Sequence, residues 1–271
     1  MEIDRLSDVQ IDYLIGALLG DGSLIKGRHD RNAQFSYISK SKQHVRYIYD
    51  KFENLSGDNG IKRNEYIDAR TGKKYGSYRF RTLSNRLFTE YYALWYVKGK
   101  KHLPDSLILN PTICLIWYIG DGGISHGNRC ESIKLSTHCF TKDEQERILL
   151  PQLSQFNAVL QKAGVGKGGS NQYFIYIPHK SVQDFLDYIG ECPFEDYRYK
   201  WSVKPYKNFC SAKNPETVEK IIDLFCAGYS SNYIAKQIGV DRTTVIKYLS
   251  QNGYDYRDNL YKRKKEEIDV E

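Results

Sequence analysis

Asp21 and Asp121 are the residues of this chain best suited to chemistry. Each stands between two glycines, in Gly20-Asp21-Gly22 and Gly120-Asp121-Gly122, and the two are 100 residues apart. Each ends an apolar stretch, "LIGALLGDG" or "CLIWYIGDG". A carboxylate at a helix C-terminus meets unpaired carbonyls whose field is already negative, so it is stabilised there by a cation. Carboxylate plus backbone carbonyl oxygen is the ligand set of a hard divalent metal. One copy alone would read as a helix stop with a solvated acid; the second copy makes the pair a candidate metal site. Two late lysines keep nearly the same spacing. Lys101 lies 80 residues after Asp21 and Lys200 lies 79 after Asp121, with Lys98 and Lys100 competing for the first place.

The elements that must position these residues repeat as well. Ser7 and Gln10 form a capping box, and apolar residues follow at Val9, Ile11, Leu14, Ile15, Leu18 and Leu19. Gly16, Ala17 and Gly20 leave one side of this helix smooth, which invites close approach by a second helix. Glycine inside a helix costs about 1 kcal/mol against alanine, so its presence here predicts a packing role. A left-handed glycine is expected to close the helix. Asn110 and Pro111 supply the N-cap and first position of the second helix. Downstream, "AQFSYISKSKQH" parallels "ESIKLSTHCFTKDE", where Thr141 and Glu144 start a helix. "SYRFRTLSNRLF" parallels "QYFIYIPHKSVQDF", each an alternating strand running into a helix. The chain therefore reads as α+β, with two halves on one plan that pack as a pseudo-dimer.

On these residues the chain resembles the single-chain LAGLIDADG homing endonucleases. "LIGALLGDG" fits the family motif and "CLIWYIGDG" its common second-half variant. "KKHLPDSLILNPTICLIWYIGDGG" and "KLSTHCFTKDEQERI" are similar to the segment that joins and follows the motifs. The resemblance covers about residues 1–204. It implies two pseudo-twofold αββαββα halves, 1–108 and 109–204, with the motif helices at their interface and two sheets forming a saddle over DNA. It also implies that Asp21 and Asp121, helped by the carbonyls of Gly20 and Gly120, bind catalytic Mg2+, with Mn2+ or Ca2+ able to occupy the same places. Lys101 and Lys200 match the family's basic active-site positions. One departure stands out: Leu115 and Ile116 replace the small residues of the full motif, so close helix contact falls to Gly16, Gly20 and Gly120.

Composition agrees with a nucleic-acid partner. The net charge is +7, and residues 60–104 hold eleven Lys and Arg against three acids. Such a basic block suits a polyanion. On the strands after each motif helix, the candidate DNA-contacting residues are Lys26, Arg28, Arg31, Gln34, Ser36, Arg79 and Arg81. In the second half they are Arg129, Lys134, Lys167, Asn171 and Tyr173. The expected partner is double-stranded DNA, bound by a pseudo-symmetric monomer. Six scattered cysteines with no CxxC pair suggest free thiols in a reducing compartment. The start, "MEIDRLSDVQ", does not look like a signal peptide, and no apolar run is long enough to span a membrane. A cytoplasmic setting, an organelle matrix or a phage-infected cell is expected, rather than secretion.

After an expected linker over 205–215, residues 216–254 carry three short helical patterns. They resemble a helix-turn-helix of the resolvase and transposase kind. Gly228 stops the first, Ser230 or Ser231 starts the second, Gly239 makes the turn and Asp241 caps the third. Arg242, Thr243, Thr244 and Lys247 would face a groove. Residues 255–271 form a charge-balanced tail. The competing readings are a non-catalytic DNA-binding regulator of the same fold and an intron RNA maturase. Retention of both aspartates speaks against the first, and the helix-turn-helix pattern favours DNA over RNA. Small-molecule catalysis has no support, because no phosphate loop, nucleophile elbow or metal-binding His pair is present.

Overall fold

The first helix begins where its cap dictates. In a computed structural model, which describes residues 5–27, 31–126, 131–165, 171–203 and 215–258, Ser7 and Gln10 exchange side-chain bonds at the start of α1 (Asp8–Leu19). Gln10 then donates to Lys51 O at 2.8 Å and to Asn54 Oδ1 at 3.1 Å, which ties this end to the helix behind it. The chain continues through β1 (Ser23–Ile25), β2 (Gln34–Ser39), α2 (Lys42–Phe52), β3 (Lys62–Ile67), β4 (Lys74–Arg81) and α3 (Arg86–Trp95). A two-residue hairpin, β5 (Tyr96–Val97) and β6 (Lys100–Lys101), follows. Its turn residues Lys98 and Gly99 both have positive φ, the primed-turn geometry of tight hairpins.

The second half repeats the plan. Asn110 accepts from Ile113 N at the start of α4 (Pro111–Asp121), and β7 (Gly122–His126) and β8 (Glu131–Leu135) follow. The Thr141–Glu144 capping box opens α5 (Lys142–Glu144), which passes through a π turn (Gln145–Leu149) into α6 (Leu150–Gln152). Then come β9 (Val159–Val165), β10 (Asn171–Ile177), α7 (Val182–Ile189) and a 3-10 helix, Glu195–Trp201. The two four-stranded antiparallel sheets have matching orders, β1-β2-β4-β3 and β7-β8-β10-β9. Sequence order, sheet order and helix placement therefore repeat between the halves.

Each sheet hides one face under its own helices. Phe35 on β2 packs against Phe52 at 4.9 Å, Phe80 at 5.7 Å and Phe88 at 6.3 Å between ring centroids, and all four are buried. In the second half Phe185 on α7, the counterpart of Phe88 on α3, packs against Phe156 at 5.2 Å and Tyr118 at 5.7 Å. Burying each such side chain contributes about 1.5–3 kcal/mol. The cores merge across the motif helices, where Leu14, Ala17, Leu18, Ile113, Ile116 and Trp117 are all buried.

The chain divides into two compact units, Met1–Lys204 and Pro205–Glu271. In the second, α8 (Pro215–Cys226), α9 (Ser231–Ile238) and α10 (Arg242–Gln251) enclose Ile221, Phe225, Ile234, Val245 and Leu249. Ser230 caps α9, Gly239 closes it in the left-handed conformation and Asp241 caps α10. No helix among the described residues is long and apolar enough to cross a membrane.

Candidate active site

The two Gly-Asp-Gly segments meet. A Cβ added to Gly20 would lie 3.6 Å from Gly120 Cα and 3.5 Å from Asp121 N. One on Gly120 would lie 3.4 Å from Asp21 N and 3.7 Å from Asp21 Oδ2. These glycines let the helix ends abut, and that contact brings the carboxylates together. Further up, a Cβ on Gly16 would fall 2.6 Å from Ile116 Cβ, so the missing side chain in one helix makes room for the branched one in the other. At the opposite end of the interface Asn110 Nδ2 donates to Asp12 Oδ1 at 2.9 Å.

The expected left-handed closure of the motif helices is not how they end. Gly20 has φ −112° and Gly122 has φ −94°, and neither Gly22 nor Gly120 has positive φ. Gly22 and Gly122 serve close approach instead. Gly22 N donates to Ala17 O at 2.7 Å, and a Cβ there would lie 2.8 Å from Ala17; one on Gly122 would lie 2.6 Å from Tyr118 O. The chain doubles back against its own helix, and only glycine fits.

The two lysines sit at these ends in matching fashion. Lys101 Nζ donates to Leu18 O at 2.8 Å and Gly22 O at 2.9 Å. Lys200 Nζ donates to Tyr118 O at 3.2 Å and Gly122 O at 2.7 Å, the same two positions displaced by 100 residues, and also to Ile119 O at 2.7 Å. Each ammonium satisfies orphan carbonyls at the negative end of its helix. Lys98 and Lys100 are exposed, one in the turn and one on the hairpin, so geometry selects Lys101.

The electrostatics follow from this crowding. Asp21 opens on solvent, but the surrounding protein and then the charge of Asp121 push its pKa up to about 6, against the pull of Lys200 and Lys101. Desolvation likewise raises Asp121, with both lysines opposing. Burial lowers both ammoniums, Lys200 to about 8, while the two aspartates act the other way. The Tyr37 hydroxyl lies 3.6 Å from the Gly120 Cβ position and accepts or donates at 2.7 Å to His44 Nε2. Burial, and the Lys200 charge, hold His44 down at about 3, hence neutral.

Two converging carboxylates and adjacent helix-end carbonyls are an oxygen-only donor set, the kind that hard divalent ions take. Among the described residues no group of three or more His, Cys, Asp or Glu side chains could hold a metal. An ion here would need backbone carbonyls, waters or phosphate oxygens to complete its shell.

Strand parity sorts the other candidates. On the first sheet Ser36 pairs with Arg81, Ile38 with Arg79 and Arg79 with Lys62, so these share the face turned away from Phe35 and Tyr37. Arg79, Arg81, Lys62 and Gln34 line one cavity of about 260 Å³ there. Lys62 was missed in the sequence, although the same period of two would have found it. Ser36 lies on that face but is buried, its hydroxyl donating to Phe80 O at 3.5 Å, so it offers nothing to a ligand. Lys26 and Arg31 are exposed beside β1 and β2. On the second sheet Lys134 is exposed, with Nζ 5.3 Å from the Phe174 ring centroid. Tyr173 and Asn171 share parity with buried Ile175 and Ile177 instead, and Tyr173 lies beside Lys142 of α5. The outer-face residues of β10 are Gln172, Phe174 and Tyr176. Arg28, Arg129 and Lys167 lie outside the described residues.

In the second unit several candidates are already engaged. Arg242 Nε donates to Ser231 Oγ at 3.2 Å and its guanidinium covers Tyr256. Thr243 and Thr244 both donate to the Asp241 carboxylate. Lys247 is exposed on α10.

Comparison with known proteins gives this geometry its setting. DNA endonuclease I-ChuI of Chlamydomonas applanata is 28% identical over 211 residues, which cover 73% of this chain and 96% of that protein. Cytochrome b mRNA maturase bI2 of Debaryomyces hansenii is 24% identical, over 72% of this chain and 74% of its own. The homing endonuclease I-WcaI, solved bound to its DNA recognition sequence, superposes with a TM-score of 0.66 at 23% identity, covering 74% of this chain and 89% of that one; it shares the fold. A sequence profile of the LAGLIDADG DNA endonuclease family matches residues 11–185. With two motif helices, two matching sheets and paired aspartates at the helix junction, the chain belongs to the LAGLIDADG DNA endonuclease family.

Proposed function

We propose that this site-specific DNA endonuclease hydrolyses one phosphodiester in each strand of a long, asymmetric duplex site, using Asp21 and Asp121 to hold Mg2+. The observation that carries this reading is the abutment of Gly20 on Gly120, which delivers both carboxylates to one junction. A divalent ion bound there supplies a polarised water and charge stabilisation for the phosphate and leaving oxygen. The chain's own residues do the rest. Asp21 and Asp121 orient around the scissile phosphates, with the Gly20 and Gly120 carbonyls beside them. Lys101 and Lys200 keep positive charge at the helix ends, where negative charge builds on a pentavalent phosphate. Lys62, Arg79 and Arg81 from one sheet, and Lys134 from the other, engage the duplex. The three helices of the second unit act as a helix-turn-helix, with Lys247 toward DNA, lengthening the recognised site. One chain carries both halves, so it works as a monomer.

The experiment is cleavage of a plasmid carrying the uninterrupted DNA around the gene's own insertion point, with Mg2+ and with chelator. A double-strand break at one site, present only with the metal, is expected. Specific binding without any break would favour the regulator or maturase reading.

A further inference from the structure

We propose that His44 and Glu144 are positioning residues, each of which holds in place the lysine-bearing segment of the opposite half, so that each cleavage centre is completed across the interface. The nuclease arm of this proposal rests on the function proposed above; the geometry does not.

His44 and Glu144 stand 100 residues apart and hold the same place in their helices, three residues after the N-caps Ser41 and Thr141. Both reach across. The His44 ring stacks on Phe194 at 5.4 Å and 28°, and meets the Tyr197 ring edge at 5.1 Å. Around it, Ser39 Oγ and Tyr197 OH share a hydrogen bond of 3.0 Å, Ser41 Oγ donates to Asp196 at 2.5 Å, and Asp196 N donates to Gln43 Oε1 at 3.4 Å. One turn on from Tyr197 is Lys200, whose Nζ lies 4.8 Å from the Tyr197 ring centroid. The first half thus grips the segment that aims the second half's lysine.

Glu144 does the converse. Its Oε1 accepts from Leu103 N at 3.0 Å and stands 3.9 Å from His102 Nδ1, the two residues directly after Lys101. Farther along, Arg147 pairs with Asp105 at 2.8 Å, and Gln152 bonds both Leu107 O and Leu109 N. The second half thus holds the segment that aims the first half's lysine. The clamps differ in chemistry. One is rings and hydroxyls around a neutral imidazole, the other a carboxylate accepting a backbone N–H. Each can therefore be released without touching the other.

The test reads the lysines directly. The metal-free protein, without DNA, is briefly treated with an amine-acylating reagent, and modification of each lysine is followed by peptide mass spectrometry, with exposed Lys26 as reference. Glu144→Ala should raise labelling of Lys101 several-fold and leave Lys200 unchanged; Glu144→Gln, which keeps the acceptor, should restore the parent pattern. His44→Ala should raise Lys200 alone. Asp196→Ala alters an exposed residue, keeps the fold and should also raise Lys200 alone, which preserves the test if the buried change prevents folding. No rise at Lys200 in Asp196→Ala, or equal rises at both lysines in any folded variant, overturns the proposal. In strand-resolved cleavage of an end-labelled duplex, the Glu144→Ala and Asp196→Ala proteins should slow opposite strands; slowing of the same strand overturns it too. A parent protein that cuts neither strand would count against the nuclease reading, while the labelling would still decide the clamp.

Discussion

Gly16 and Ile116 are equivalent positions of the two motif helices, and they pack against each other: a Cβ on Gly16 would meet Ile116 Cβ at 2.6 Å and Ile113 O at 2.7 Å. The interface is thus an asymmetric knob and hole built on a symmetric plan. Gly16→Ala in an unconstrained helix would stabilise by about 1 kcal/mol. Here it must push the helices apart, and the expected outcome is a loss of about 1–3 kcal/mol in urea denaturation. The sign alone separates the two cases, and the displaced Asp21–Asp121 junction should lose cleavage in parallel.

Removal of Lys200 should cost more stability than removal of Lys101. Lys200 donates to three carbonyls and is buried, whereas Lys101 donates to two and is half-buried. Stranding buried acceptors costs about 1–3 kcal/mol. Lys200→Met should therefore lower the Tm more than Lys101→Met, and both should depress the cleavage rate with DNA affinity nearly kept. Equal Tm values for the two would show that the carbonyl contacts contribute little.

The Asp21 carboxyl, raised to about 6, sets a pH dependence. The unfolded chain ionises this group near 4, so between about 4 and 6 the folded state binds more protons. Stability of the metal-free protein accordingly falls as pH rises through that window and stays lowered above it. Asp21→Asn removes the effect: relative to the parent it should gain stability above pH 6 and lose that gain below pH 4. Cleavage at limiting Mg2+ should show an acid limb, because the protonated acid is no longer a cation ligand, and raising the metal concentration should move that limb to lower pH. Thermal melts across pH read the first outcome and initial rates the second.

Charge on the first sheet should divide by face. Arg79 and Lys62 lie on the outer face, whereas Arg63, on the other face of β3, is paired with Glu65 at 2.7 Å. Arg79→Ala or Lys62→Ala should weaken binding and reduce the slope of log affinity against log salt by about 1. Arg63→Ala should leave the slope unchanged. A filter-binding series at several salt concentrations distinguishes them.

Much of this site was legible in the chain because it rests on local chemistry. Ser7, Asn110, Thr141, Ser230 and Asp241 announce their helices through caps. The repeated Gly-Asp-Gly and the matched lysines announce the junction. What failed depends on tertiary context. Gly20 and Gly22 read as left-handed stops, but the same residue type also serves close packing, and only the second helix and the doubled-back chain decide between them. The parity of "QYFIYI" was hidden because apolar and aromatic residues occupy both faces, which placed Tyr173 on the wrong side. Ser36 departs from expectation too: it is buried, while Ile38 on the same face is 43% exposed. The His44 and Glu144 contacts join segments far apart in the chain, and the signal that could have found them was their common offset of 100 residues.

The most direct measurement is cleavage and binding, side by side, of one mapped target by the parent, Asp21→Asn and Asp121→Asn proteins with Mg2+. The expected result is loss of the double-strand break in both variants with DNA affinity retained. A full break made by either variant would contradict the assignment of the paired aspartates as the centre of the reaction.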